Sequence, residues 1–317
     1  MIASPRVSVL MTAYNRERYI RAAIESVLTQ TFTDYELVVV DDGSQDRTLE
    51  IARSYTSDRR VRIIANTKNL GQFPNRNYAA QLAQGEFLKY HDSDDLMYPY
   101  CLEIMVELLA SEAHADFGLT RGNHWPGGPC PMLLTPRMCY QREFLGSGLF
   151  GCGPGGALFR RDFFLRTGGF PDLGVFSDWV FWLRTCARAN VLLFPADLIW
   201  YRVHPEQELQ SARSKRDAAT ASGEAWRALH APECPLSPEE REQAKNNWVR
   251  SEVKQILAAL RAGEWSLAAL EWQSCGIPWG AWIRGVLAGS SRQTLAGTPM
   301  EDAGEYHIPK WPLGSKT

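Results

Sequence analysis

Two periodicities alternate along the first part of the chain, and this alternation constrains the fold more than any other feature. VSVLMTA (7–13), ELVVVDDGS (36–44), VRIIAN (61–66) and EFLKYHD (86–92) are short apolar or β-branched runs that read as buried strands. Helical spacing fills the gaps between them. RERYIRAAIESVLTQ sets Ile20, Ala23, Ile24, Val27 and Leu28 on one face. DRTLEIARSYT reads as a second helix with Asp46 as its N-cap. PNRNYAAQLAQG reads as a third, with Pro74 at its first position and Gly85 beyond its end. Repeated βα units of this length imply a mostly parallel sheet with helices on both faces.

Such sheets bind ligands outside the carboxyl ends of their strands. The polar residues of this chain gather there: Thr12 to Asn15, Asp41 to Ser44, Asn66 to Gly71 and Asp92 to Asp95. Asp92, Asp94 and Asp95 repel one another unless a positive charge neutralises them. A hard divalent cation, Mn2+ or Mg2+, takes carboxylate oxygens together with phosphate oxygens and water. Asp92-Ser93-Asp94 can offer one carboxylate to a metal and another to a ribose hydroxyl. Alone, the same stretch is also an ordinary acidic turn; its place after the fourth strand raises its weight. Asp41, at a strand end, can accept a hydrogen bond from a nucleobase N–H, and Tyr14 can stack on the base. Arg76 suits a phosphate or a base edge, or a solvated helix start.

Later segments are less regular. LEIMVELLASE (102–112) reads as a helix, and the Gly- and Pro-dense stretch over 122–156, ending in GCGPGG, reads as loops. ALFRRDFFLRTGGF gives a strand and a short helix with a Gly-Gly stop; SDWVFWLRTCARAN is helical with Asp178 in its first turn; VLLFPADLIWYRVHP returns as strand. SPEEREQAKNNWVRSEVKQILAALRAG is a long helix, with Ser237 and Glu240 forming a capping box and Pro238 at its first position. SLAALEWQSCG pairs with it, PWGAWIRGVLAG adds Trp279, Trp282 and Arg284, and EDAGEYHIPKWPLGSKT reads as a mobile tail. The carboxy-terminal aromatics either pack on the main domain or meet a membrane surface; the lack of a dense basic face favours packing.

The net charge is -2, from 34 Lys+Arg against 36 Asp+Glu, which argues against a general affinity for nucleic acid. Seven cysteines without a CxxC pair argue against a disulfide framework or a structural zinc site and fit a reducing compartment. The amino-terminal apolar run is too short for a signal peptide, and no run is long enough for a transmembrane helix. A cytoplasmic protein, peripheral at most to the inner face of the membrane, is expected.

TAYNRERYIRAAIESVLTQTF, ELVVVDDGSQDRT, NLGQFPNRNYAAQLAQGEFLKYHDSDD, GGALFRRDFFLRTGGF, SDWVFWLR and YRVHP together resemble a family 2 glycosyltransferase of the GT-A fold, over residues 6–205. The resemblance implies a mixed, mostly parallel α/β sheet as a glycosyltransferase domain over 1–208, with 209–317 as a helical extension and tail. It implies that Thr12, Ala13, Tyr14, Asn15, Asp41, Arg76, Asp92 and Ser93 hold a nucleotide-sugar donor. Asp92 and Asp94 are its DxD pair, with Asp94 the first metal ligand and His204 completing the shell; Arg202 is a second candidate for the diphosphate. Asp178 matches the family's general base, although Ser177 stands where the family carries Glu. His91 replaces an apolar residue and reads as a packed or solvated histidine. Trp179 and Trp182 are candidates for an acceptor wall, with core packing as the other reading of Trp182. The implied reaction is metal-dependent, inverting sugar transfer from a nucleotide-sugar, UDP-linked by default, to a glycan, lipid-linked or protein acceptor. An inactive nucleotide-sugar binding module and a nucleotidyltransferase are the alternatives; against the latter, TAYNRERY holds no glycine.

Overall fold

A computed structural model describes residues 4–120, 130–207 and 212–287. The four expected strands form as β1 (Val7–Ala13), β2 (Tyr35–Asp41), β3 (Val61–Ala65) and β4 (Phe87–Tyr90). They pair in parallel, in the order β3-β2-β1-β4. Every residue of β2 is buried, which suits a continuous apolar run covered on both faces. Helices α1 (Ile20–Leu28), α2 (Thr48–Arg53) and α3 (Gln72–Leu82) connect these strands. The stripe of α1 buries Ile20, Ala23, Ile24 and Val27; each large aliphatic side chain so buried contributes about 1.5–3 kcal/mol.

Two helix starts correct the sequence reading. Asp46 lies one residue ahead of the α2 cap, Arg47. Its Oδ1 accepts from the Thr48 amide at 2.9 Å and the Thr48 hydroxyl at 2.5 Å, an Asx turn leading into the helix. Helix α3 begins at Gln72, so Pro74 is its third residue. Proline is tolerated there because first-turn N–H groups have no intrahelical partner.

Past β4, β5 (Leu96–Met97) leads into α4 (Cys101–Ser111). Strands β6 (Phe117–Thr120), β7 (Met132–Leu134), β8 (Ala157–Arg160) and β9 (Val191–Phe194) complete the eight-stranded sheet, ordered β3-β2-β1-β4-β8-β6-β9-β7. Strands β8 and β7 run against their neighbours, so the sheet is mixed but mostly parallel. The loops expected over 122–156 are in part regular structure: β7 and α5 (Pro136–Leu145) lie within them. Thr135 caps α5, accepting from the Met138 amide. A three-residue strand and a helix without an apolar stripe leave little periodic signal. Residues 121–129 lie outside the described residues.

Helices α6 (Arg161–Arg166) and α7 (Ser177–Thr185) and the short strand β10 (Ile199–Trp200) follow. Strand β10 pairs antiparallel with β5 in a separate two-stranded ribbon. The carboxy-terminal part is α8 (Ala212–His230), α9 (Pro238–Arg261), α10 (Trp265–Cys275) and α11 (Trp279–Leu287). Helix α9 starts as expected: Ser237 accepts from the Glu240 amide, and Glu240 accepts from the Ser237 amide.

One face of the sheet packs on α1 and α4. The other packs on α3, α5 and α7, and this same core takes in Ala225 and Leu229 of α8 and Ala244 of α9. A third apolar cluster belongs to the carboxy-terminal helices, where Trp272 lies 4.4 Å from Trp279 and 4.6 Å from Trp282 between ring centroids. Trp282 is buried; Trp265, Trp279 and Ile283 are exposed. All seven cysteines are free thiols. Among the described residues no helix is long and apolar enough to cross a membrane. The side chain of Arg284 and the tail EDAGEYHIPKWPLGSKT lie outside the described residues.

Candidate active site

The loops after β1 and β2 are zipped together by their own polar groups. Asn15 adopts a left-handed φ of 52°, a conformation asparagine tolerates. Its amide donates to the Ser44 hydroxyl at 3.0 Å, and its side-chain oxygen accepts from the Gln45 amide at 2.8 Å. Asn15 thus acts on the loop. Thr12 is partly buried and Ala13 buried at the end of β1, while the Tyr14 ring is 44% exposed and open to stacking. Asp41 is buried; its Oδ2 accepts from the Ser44 amide at 3.0 Å, and its Oδ1 has no partner. A buried, unsatisfied carboxylate oxygen is costly unless a ligand donates to it. Asp42 accepts from Asn66 Nδ2 and from the Leu70 and Gly71 amides, fixing the loop ahead of α3.

The aspartates after β4 face different partners. Asp92 accepts from Arg76 Nη2 at 2.5 Å. The Arg76 guanidinium is buried over the Phe73 and Tyr90 rings, and its Nε and Nη1 have no partner. Asp94 accepts from Arg16 Nε at 3.0 Å, and the same oxygen lies 3.1 Å from His204 Nε2. The His204 ring packs on Tyr19 at 4.5 Å. Asp95 is buried and accepts from the Arg202 amide at 2.9 Å. Burial pushes its carboxyl up to about 8, and the charges of Asp92 and Asp94 add to this. Arg202 Nε donates to the Asp94 carbonyl at 2.7 Å, linking residues shortly before β5 and shortly after β10. Ser93 is buried.

Asp94 and His204 therefore converge, and Asp92 is turned to Arg76. Among the described residues no three His, Cys, Asp or Glu side chains cluster closely enough to hold a metal by themselves. A carboxylate and an imidazole meeting at one point still suit a divalent cation whose remaining ligands are diphosphate oxygens and water.

Asp178 lies in the first turn of α7, partly buried, with Oδ1 accepting from the Trp179 amide at 2.7 Å. Burial pushes its carboxyl up to about 7; Arg76 pulls it down and Asp92 pushes it up. The glycine loop before β8 lies near both carboxylates. A Cβ on Gly153 would sit 3.9 Å from Asp178 Oδ2, and one on Gly155 3.4 Å from Asp92 Oδ2. The ammonium of Lys89, fully buried in β4, donates to the Tyr90 and Gly155 carbonyls and ties that loop to the strand.

Ser177 is buried; its hydroxyl donates to the Gly174 carbonyl at 2.7 Å and accepts from the Leu173 amide at 2.9 Å, closing the turn into α7. Trp182 is a core residue, stacked on Phe159, with its indole N–H donating to the Cys152 carbonyl. Trp179 donates to Glu143 and stacks on Trp248 of α9 at 6.1 Å. Trp182 is therefore core packing, whereas Trp179 is partly buried and held against α9. His91 is packed: burial depresses its pKa to about 3, and Nε2 lies 3.3 Å from the Ser26 hydroxyl.

Arg16, Lys89 and Glu143 are the residues that sequence reasoning passed over. Arg16 and Asp94 are 78 positions apart, and nothing in either segment announces their contact. For Lys89, its charge inside EFLKYHD was the available signal.

The Glycosyl transferase family 2 model matches residues 8–167, about half of the 317. The chain is 37% identical over 148 residues to the putative glycosyltransferase EpsE of Bacillus subtilis, a match covering 43% of this chain and 53% of that protein. It thus spans about half the length of this curated relative. The fold is similar to that of S. aureus TarS 1-349 in complex with UDP-GlcNAc, with TM-score 0.58, 22% identity, and 84% of this chain and 90% of the other covered. It is also similar to the mannosyltransferase PcManGT from Pyrobaculum calidifontis in complex with GDP-Man and Mn2+, with TM-score 0.55, 19% identity, and 90% and 87% covered. With its mixed sheet and the family match running through β8, this chain belongs to glycosyl transferase family 2 and has the GT-A fold.

Proposed function

We propose that the protein is a metal-dependent, inverting glycosyltransferase that moves a sugar from a nucleotide-sugar, UDP-linked by preference, to an acceptor hydroxyl in glycan or glycoconjugate synthesis. The observation that carries this reading is that Gly153 and Gly155 of one loop lie beside Asp178 and Asp92 respectively, so the proposed base and the donor-side carboxylate share one edge. Asp41 Oδ1 accepts the base N–H, Tyr14 stacks on the base, and Arg76 offers its free N–H groups to the donor. Asp94 and His204 would hold Mn2+ or Mg2+, which when bound would neutralise charge on the departing diphosphate. Asp178 takes the proton of the acceptor hydroxyl as its oxygen bonds to the sugar C1 and the bond to the diphosphate breaks. Attack opposite the leaving group inverts the anomeric centre. The ligands of the two similar structures, UDP-GlcNAc in one and GDP-Man with Mn2+ in the other, support a nucleotide-sugar donor and a divalent cation.

In this reading residues 1–208 are the catalytic domain and 209–317 an extension. Exposed Trp265, Trp279 and Ile283 support a peripheral membrane contact on a cytoplasmic face, beside a lipid-linked or glycan acceptor. The test is thermal-shift screening of a nucleotide-sugar panel with and without Mn2+, followed by assay of nucleotide release. One donor should shift the protein only with metal, and Asp94→Ala should remove that shift. No binding by any donor overturns the reading; binding without turnover on any acceptor favours an inactive binding module.

A further inference from the structure

We propose that Arg16 is a built-in counter-cation that holds the Asp94 carboxylate until the divalent cation arriving with the donor diphosphate displaces it. The proposal rests on the reading of Asp94 as a metal-binding residue. Arg16 Nε is 3.0 Å from Asp94 Oδ2, the oxygen that also faces His204 Nε2 at 3.1 Å. Both members of the pair are largely shielded, with side-chain exposures of 19% and 15%, so water screens the contact only in part. Charge-assisted hydrogen bonds of this kind are among the strong ones. The guanidinium is strapped to its own loop, since Nη1 donates to the Tyr14 and Asn15 carbonyls at 3.2 and 3.1 Å. That loop is fixed in turn, with the Arg16 amide donating to the Thr48 hydroxyl at 2.7 Å.

A metal ion bound at the Asp94–His204 pair meets this guanidinium within hydrogen-bond reach of the same oxygen, and like charges so close repel. The side chain has somewhere to go. A cleft of about 350 Å³ opens beside it, lined by Glu17, Arg18, Tyr19, Asp46 and Glu206 as well as Arg16 itself. Glu206 stands there half-exposed, paired with Arg18 at 3.0 Å, and can take a second guanidinium. The consequence is ordered binding: the cation alone competes poorly with Arg16, whereas a cation carried by a diphosphate brings the negative charge that offsets the displaced pair.

Mn2+ alone, titrated into the full chain and followed by loss of the free-ion EPR signal, tests this. Arg16→Gln should bind Mn2+ at least tenfold more tightly than the wild type. Arg18→Gln, which removes one positive charge from the same cleft but not from Asp94, should stay within twofold. Arg16→Lys keeps a donor for the loop carbonyls and should fall between them. Equal tightening in both glutamine variants, or no tightening in Arg16→Gln, overturns the proposal. Asp94→Asn separates it from the reading beneath. If Asp94→Asn leaves Mn2+ binding intact, the metal assignment itself falls. If it abolishes binding while Arg16→Gln gains nothing, only the role of Arg16 falls.

Discussion

At Asp178 the protein holds a carboxylic acid where burial outweighs the pull of Arg76, and its pKa rises to about 7. A general base works only when ionised. Transfer should therefore fall as pH drops through about 7 and level off above it, as read from kcat/KM between pH 5.5 and 9. Asp178→Asn should lower kcat by about 10²–10⁴-fold, the usual contribution of a general base, with UDP affinity in Mn2+ unchanged. A parallel loss of UDP affinity would place Asp178 in the donor site instead. Asp41 makes a different prediction. Its unpartnered Oδ1 waits for a donor, and a hydrogen bond to a charged group is worth about 1.5–3 kcal/mol. Asp41→Ala should weaken UDP at least tenfold by calorimetry; undiminished affinity would remove the base contact. Asp41, Asp94 and Asp178 were legible as candidates because each follows a strand or opens a helix in a readable motif. Arg16 was not, because a contact across 78 positions depends on how two loops close over the sheet edge.

Among the elements, the start of α9 was legible to the residue, whereas β7 and α5 were read as loop and α8 only as part of a helical extension. The start of α9 is written in local chemistry: serine, proline and a glutamate three positions on. Helix α8, ARSKRDAATASGEAWRALH, has no comparable start signal, and its buried side is made largely of alanines. Ser237→Ala should cost about 1 kcal/mol in urea unfolding, as lost N-caps do. Glu240 adds a pH signature. Partial burial opposes its charge, but hydrogen bonds from Arg137, the Ser237 amide and Gln141 outweigh it and hold the carboxyl at about 2, below its ordinary 4.5. The sign follows: the folded state binds the proton less readily, so this stabilisation is complete above pH 4.5 and is lost as pH falls towards 2. Glu240→Gln should remove that part of the acid dependence, seen as a smaller drop in urea midpoint between pH 5 and pH 3 than in the wild type.

For the molecule as a whole, the carboxy-terminal helices are not loosely attached. Ala225, Leu229, Cys234, Leu236 and Ala244 close the core that also holds Phe159 and Trp182, and Trp248 covers the helix that carries Asp178. A chain cut after residue 208 should expose that core and aggregate or unfold, as judged by size exclusion and near-UV circular dichroism. A folded, monomeric product would show that the sheet is self-sufficient. The reversed strand β8 has a further effect on the molecule's layout. Because it enters the sheet where β4 leaves it, its glycine turn joins the strand ends that carry Asp41 and Asp92, and the opposite rim is left without any of the candidate groups. Exposed Thr33 and Asp34, and exposed Ala113 and His114, lie on that rim, ahead of β2 and β6. It is where a fluorophore, an affinity handle or a surface tether can be grafted while the reacting edge stays free.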